Sequence, residues 1–440
     1  MKIYLKKSCC VENTSSSENF FWNMLGSLSG SITSIFFSII VARMCSPTQS
    51  DAFSIAFAIA AQIWTIANFE SGTLMVTDAK GKYSDNDYFS FKLVLLALSL
   101  IATITVIITA ISSDKYDAYK SVIVFAFCAY RIAEAFSNYY YAVFQKNEHI
   151  NIAGFSMFLR TVISIVVFTA VILLTNNLFF AVLTLSVVCV LWILIYEANF
   201  SRMYSRVAFE LNAKTLLKLF YECLPLFLCS FLISYLINIP KYSIDSVLTQ
   251  NVGIQTTCNA IFQPAAVINL LCIFIFKPML TTLAKLFNNG ESKKFVFLAL
   301  KILLIIIAFS LVALLAASVL GVPVLQIFYG KQYIKKEHIT AILMVVAGGA
   351  FYALSQLLYN MITIIRCQHY MLIGYAVTFL IALMISDKLV LKYQIFGAAM
   401  VYLISMAILS MLFLVVFIIA FLRIRKVQLS GKRGDKDEDT

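Results

Sequence analysis

Long apolar stretches separated by short polar connectors run the length of the chain. They lie at about residues 20–42, 52–69, 90–111, 120–143, 154–174 and 178–198, and again at about 219–239, 253–280, 295–320, 339–362, 370–386 and 395–422. A helix crosses a hydrocarbon layer with roughly 20 residues, so the pattern predicts twelve transmembrane helices. Strict apolar/polar alternation is missing, which argues against a transmembrane barrel. The longest connector, 199–218, divides the stretches six and six. The expected fold class is therefore an all-α polytopic membrane protein. Its expected domains are a six-helix bundle over 1–198, a connector over 199–218, a second bundle over 219–422 and a disordered charged tail over 423–440.

Composition sharpens this. Of 440 residues, 61% are hydrophobic and 13% charged, with a mean hydropathy of +0.89. Soluble chains carry about 25% charged residues, so a water-soluble enzyme and a disordered chain are both excluded. The first nineteen residues, with Lys2, Lys6, Lys7 and Glu18, are too polar for a secretory signal peptide. Lysine and arginine favour the face that carries the termini, 20 against 9 on the other, with 5 more in or just inside spans. The positive-inside rule then places both termini in the cytoplasm. It also assigns the net charge of +12 to topology and anionic lipid, not to nucleic acid. The ten cysteines form no spaced cluster and the three histidines lie far apart, so no metal centre or disulfide framework is expected. No connector is long enough for a soluble catalytic domain, so the function is expected to lie between helices.

The two halves show weak internal similarity. At an offset of about 220, Tyr139 falls on Tyr359, His149 on His369 and Gly154 on Gly374; near 198, Arg43 falls on Lys241. Six-helix halves in the same orientation form a parallel repeat, a plan that places transporter sites at the repeat interface.

Charges inside spans need a reason, because each costs roughly 2.5–3.5 kcal/mol near mid-bilayer. Arg131 lies about halfway along the fourth stretch, with Glu134 on the same face at i+3. One reading makes Arg131 a cationic site lining a cavity, with Glu134 tuning its charge or titrating; the other is a self-neutralised pair that only packs. The first is preferred. Arg160 either lines the path or snorkels to the inner interface, and Lys92, Lys277 and Lys301 are expected to snorkel. Glu222, three residues before Pro225, suits a helix N-terminus better than proton coupling. Pro240 is expected to break or bend the seventh helix, leaving Lys241 and Asp245 beside freed backbone groups as gate elements or in an outer loop. Tyr139 and Asn138 offer a ring face and polar groups that could engage sugars.

Several segments resemble one family. FFWNMLGSLSGSITSIFFSIIVARMCSPTQSDAFSIAFAIA resembles the first hairpin of bacterial polysaccharide-repeat-unit flippases, in which a helix ends in Arg before a short Pro-containing turn. VTDAKGKYSDNDYFSFK, PLFLCSFLISYLINIPKYSID, KPMLTTLAKLFNNGESKKF and FGAAMVYL resemble their later connectors and helix ends, in the same order. After Asp245 the sequence SVLTQNVGIQTTCNAIF departs from the usual pattern. These are the Wzx-type O-antigen and capsule flippases of the multidrug/oligosaccharidyl-lipid/polysaccharide exporter (MOP) superfamily. The resemblance implies two six-helix bundles around a cavity, alternating access, and movement of a polyprenyl-diphosphate-linked oligosaccharide to the outer leaflet of a bacterial inner membrane. It implies the lipid bilayer and the polysaccharide polymerase machinery as partners, and no cofactor beyond H⁺ or Na⁺ coupling.

A buried diphosphate needs positive partners. Arg131 is the first candidate, followed by Arg160, Arg43 and Lys241, while Glu134, Glu222 and Asp245 are candidates for coupling or gating. The nearest alternative is a multidrug or cation exporter of the same superfamily, which would prefer an acidic cavity. An unpaired Arg131 would argue against it. A membrane-embedded polymerase is a more distant alternative, because it would be expected to carry a sizeable outer loop.

Overall fold

A computed structural model describes residues 16–78, 81–249, 251–367 and 369–437. The architecture is all-α, a twelve-helix polytopic membrane fold with two helical bundles. The chain divides into two compact units, the first ending at Ser234 and the second beginning at Tyr235.

The first unit holds α1 (Ser16–Met44), α2 (Pro47–Asn68), α3 (Asp85–Ser112), α4 (Ala118–Lys146), α5 (Ile150–Thr175), α6 (Leu178–Trp192) and the first part of α7 (Ala213–Val247). Its connectors are short because polar residues cap the helices at once. Ser46 caps α2 through the Gln49 N–H at 3.3 Å, Gln49 returns the bond to the Ser46 N–H, and Pro47 occupies the first turn where no N–H is needed. Ser84 and Asp87 form the same reciprocal cap on α3, and Asp117 caps α4. Phe69 and Glu70, both at positive φ, end α2 and turn the chain into the short helix Ser71–Thr77.

Within this unit α1 packs on α5, α2 on α4, and α6 on α4 and α5. The α1–α5 contact is backbone against backbone: a Cβ at Gly154 would lie 2.2 Å from the Trp22 carbonyl oxygen, and one at Gly26 would lie 2.5 Å from the Gly154 oxygen. Beyond it, Phe37 meets Phe168 at 4.7 Å between ring centres and Phe53 meets Phe127 at 5.1 Å, closing an aromatic core.

The second unit holds the rest of α7, α8 (Ile254–Asn288), α9 (Ser292–Tyr329), α10 (Ile339–Ile364) and α11 (His369–Asp437). α10 is its centre and packs on α8, α9 and α11. α11 contains a sharp break at Gln394 (φ 51°, ψ −126°), which separates the eleventh and twelfth apolar stretches. Gly397 makes the break possible, since a Cβ there would lie 2.1 Å from the Leu389 carbonyl oxygen.

Two expectations are corrected. Pro240 does not end the seventh helix: α7 runs unbroken to Val247, so Lys241 and Asp245 are helical residues and not part of an outer loop. A proline removes one donor and tilts one upstream carbonyl, and a helix already propagating absorbs that loss. The charged segment after 422 is also helical, continuing α11 to Asp437. Lys and Arg are good helix formers, and extension needs no new nucleus. Residues 1–15 and 438–440 lie outside the described residues.

Nine helices among the described residues are long and apolar enough to cross a membrane. α4 is not one of them. Its sequence carries the charges that build the site.

Candidate functional site

The site begins with a hydroxyl-rich turn of α1. The Ser31, Thr33 and Ser34 side chains each donate to a carbonyl of their own helix, at 3.0, 2.7 and 3.0 Å. These internal bonds let polar residues sit in an apolar span, and they leave hydroxyl lone pairs free. Across from them, α2 contributes Phe57 and α4 contributes Phe127, Tyr130, Arg131 and Glu134. Together they line a cavity of about 150 Å³ within the first unit.

Arg131 and Glu134 pair at i+3 on α4, as their spacing suggests. Glu134 then uses its second oxygen to accept from Arg160 Nη2 on α5 at 3.1 Å. One carboxylate therefore bridges two guanidinium groups. The two arginines differ in surroundings. Arg160 is buried at 4% exposure, also donates to Ser137 Oγ at 2.7 Å, reaches Cys189 Sγ at 3.6 Å and lies over the Tyr141 ring. Arg131 is 22% exposed, faces the cavity and lies 5.2 Å from the centre of the Trp64 ring. Arg160 thus neither snorkels nor fronts the cavity; it anchors Glu134 from behind. Arg131 is not unpaired, which removes the argument that an unpaired arginine excludes a cationic cargo.

A fully buried carboxylate lies beyond the Tyr141 ring that Arg160 covers. α6 passes into a π-helical turn over Ile193–Glu197, which rotates Glu197 inward to 0% exposure. Its Oε1 accepts from Tyr141 Oη and Ser156 Oγ, both at 2.9 Å, and Trp192 Nε1 donates to the same serine at 2.9 Å. Glu197 Oε2 has no hydrogen-bond partner among the described residues. Single-turn π bulges are frequent at functional sites.

The other sequence candidates lie apart from this cluster. Arg43 is exposed in the last turn of α1. Tyr139 is buried at 5% exposure among Phe89, Phe136 and Tyr140. Asn138 donates to Asn68 Oδ1 at 3.1 Å. That same oxygen accepts from Lys92 Nζ at 3.1 Å, and Lys92 also reaches the Ala67 carbonyl at 2.8 Å. Lys92, expected to snorkel, is instead 1% exposed, because α2 ends there and leaves carbonyl oxygens for a cation to satisfy. Lys301 is exposed, and the side chain of Lys277 lies outside the described ones. In the second unit, Lys241 is buried at 7% exposure and Asp245 is half-buried.

Because α7 begins nine residues earlier, at Ala213, Glu222 does not cap it. It pairs with Lys82 and accepts from Tyr83 Oη at 2.8 Å, tying α7 to the segment before α3. Asp78 organises that segment by accepting the backbone N–H groups of Lys82 and Tyr83 at 3.0 and 3.1 Å and the Tyr88 hydroxyl at 3.1 Å. Partial burial pushes the Asp78 carboxyl up, but these donors outweigh it and hold the group below its usual range. The hydrogen bond to Glu222 raises the Lys82 ammonium above its usual value.

Sequence reading missed Glu197, which stands alone in LWILIYEANF, and the second-unit contact of Ser243 with Ser386 and Asp387. The signal for Glu197 was available: an acid inside an apolar run.

No family model matches the sequence. The chain is 23% identical over 341 residues to the capsular polysaccharide biosynthesis protein CapF of Staphylococcus aureus, covering 77% of this chain and 83% of that one. Among solved structures it is similar to an inward-facing multidrug resistance MATE family transporter of the MOP superfamily, with TM-score 0.66, 14% identity, and 94% and 99% of the two chains covered. A MATE transporter in the bent conformation gives TM-score 0.57 at 18% identity, covering 93% and 94%. The chain has the MOP transporter fold. A third MOP structure, from Pyrococcus furiosus, is described as having a binding pocket of reverse polarity that suggests a different function; it matches with TM-score 0.56 and 16% identity over 94% and 96% of the chains.

Proposed function

We propose that this MOP-fold chain carries an anionic, lipid-linked oligosaccharide from the inner to the outer leaflet by alternating access. The observation that carries the reading is Arg131, a guanidinium lining a cavity together with aromatic rings, hydroxyls and the Glu134 carboxylate. Arginine recognises phosphate through several N–H donors at once, and only one contact of Arg131 is taken by Glu134. The cavity suits a small charged head group, not several sugars, so the diphosphate is the part assigned to it. Similarity to a capsular polysaccharide biosynthesis protein supports the same cargo class. The reading places the protein in a bacterial inner membrane with both termini cytoplasmic, serving O-antigen, capsule or exopolysaccharide synthesis beside a polymerase.

A second reading, export of cationic drugs, is favoured by two observations, and the first is that the Glu134 carboxylate lines the same cavity. The similar solved structures include multidrug transporters. Deleting the gene in its native host and assaying the leaflet position of lipid-linked oligosaccharides separates the two. Accumulation of complete units on the inner leaflet, restored by the wild-type gene but not by Arg131→Ala protein present at normal membrane level, is the expected result. An unchanged glycolipid pool with altered drug sensitivity would replace this proposal with the second reading.

A further inference from the structure

Glu134 splits its two oxygens between arginines that are unequally held. Arg160 has Ser137 and the Tyr141 ring besides Glu134, and is almost fully buried. Arg131 has Glu134 and the Trp64 face, and it lines the cavity with its side chain 22% exposed. A guanidinium held in an apolar wall with no counter-charge is strongly unfavourable. A carrier that must reorient without cargo therefore needs an anion in its own wall.

We infer that Glu134 is an internal stand-in for the cargo's phosphate: it occupies Arg131 while the cavity is empty and yields that arginine to an entering phosphate group, keeping its bond to Arg160. The inference rests on the reading of Arg131 as the cargo site. The bond that gives way is the one at the cavity wall, because the Arg160 side of the bridge is fixed by Ser137 and by burial. The carboxylate and the phosphate present the same chemistry, oxygen acceptors bearing negative charge, so they compete for one set of N–H donors. The exchange leaves both arginines paired in the loaded state as in the empty one. It also sets the affinity of the site below what a bare arginine would give, which favours release after transport.

Trp64 provides the readout, because its ring faces the guanidinium that changes partner. Protein with Trp22→Phe and Trp192→Phe retains Trp64 as the one tryptophan of the three in the sequence. Its emission is titrated in detergent with farnesyl diphosphate, with inorganic pyrophosphate, and with farnesol as the uncharged control. Glu134→Gln, which keeps the volume and an acceptor for Arg160, is expected to bind farnesyl diphosphate at least about tenfold more tightly than the parent, a difference of about 1.4 kcal/mol. Glu134→Asp, too short to span both arginines, should fall between them and serves if the glutamine variant does not fold. Arg131→Ala should abolish the response, and farnesol should give none. Tightening toward pyrophosphate alone still supports the exchange but identifies a free anion, not a lipid head group, as the source. Farnesyl diphosphate binding that needs Arg131 but is unchanged or weakened in both Glu134 variants overturns the stand-in while leaving the cargo site intact. Absence of any Arg131-dependent binding overturns both.

Discussion

Replacing Gly154 with alanine tests the α1–α5 contact on which the cavity wall rests. The added methyl would sit 2.2 Å from the Trp22 carbonyl oxygen, 2.4 Å from its carbon and 2.7 Å from the Asn23 nitrogen. All three are backbone atoms in a helix, so no side-chain rotation relieves the overlap. Ordinary contact begins near 3.4 Å, and α1 must therefore retreat by about 1 Å. Overpacking of this kind costs typically about 1–3 kcal/mol, against a gain of up to about 1 kcal/mol from replacing a helical glycine. The backbone clash puts the cost at the upper end, so the net loss expected is about 2 kcal/mol. Gly30→Ala is the matched control on the same helix pair. Its methyl would meet only Met157 Sδ, at 3.5 Å, and the expected effect is neutral to slightly stabilising. Thermal or SDS unfolding of both variants, followed by far-ultraviolet circular dichroism, measures the difference. Equal stability of the two would refute the claim that α1 and α5 meet through their backbones. The double variant Gly26→Ala with Gly154→Ala should cost less than the sum of its parts, because one retreat of α1 relieves both overlaps.

Three other outcomes are expected. Lys92→Met should destabilise the first unit by about 1–3 kcal/mol in the same unfolding assay, since the Ala67 carbonyl loses a buried donor. Tyr141→Phe should cost a similar amount, about 1–3 kcal/mol, by stripping a donor from the buried Glu197, whereas Tyr221→Phe at an exposed site should be silent. Hydrogen exchange of residues 81–84, corrected for intrinsic rates, should be flat across neutral pH. Asp78 has a lowered value, so its contribution is present above its ordinary 3.8 and fades as pH falls through the lowered one. Lys82 has a raised value, so its contribution is present below its ordinary 10.5 and fades as pH rises through the raised one. Loosening of that segment between pH 5 and 9 would contradict the assignment.

The helices were legible because a span of hydrocarbon fixes both length and polarity, and the periodic apolar runs report both. The Arg131–Glu134 pair was legible for a local reason, three residues along one helix. Arg160 was not, because its direction depends on Ser137 of α4 and Cys189 of α6, which meet it only after packing. Lys92 was misread for the same reason: its partners are the end of another helix. Glu197 depended on a π turn that apolar periodicity does not announce. Pro240 shows the converse error, a strong local signal overridden by a long helix.

The boundary inside α7 bears on how the chain is made. Phe220 and Phe227 of α7 stack on Phe69 at 4.8 and 4.1 Å, Ser230 donates to Glu70 at 2.6 Å, and the Phe231 carbonyl accepts from Gln62 at 3.1 Å. These contacts wait for residues more than 140 positions downstream of their partners. During synthesis, at about 5–20 residues per second, the first six helices must remain incomplete for the seconds needed to translate the connector and half of α7. Over that interval the Gln62 amide lacks its Phe231 acceptor, and Glu70 holds the Thr73 hydroxyl but not that of Ser230. A truncation after α6 removes these contacts altogether.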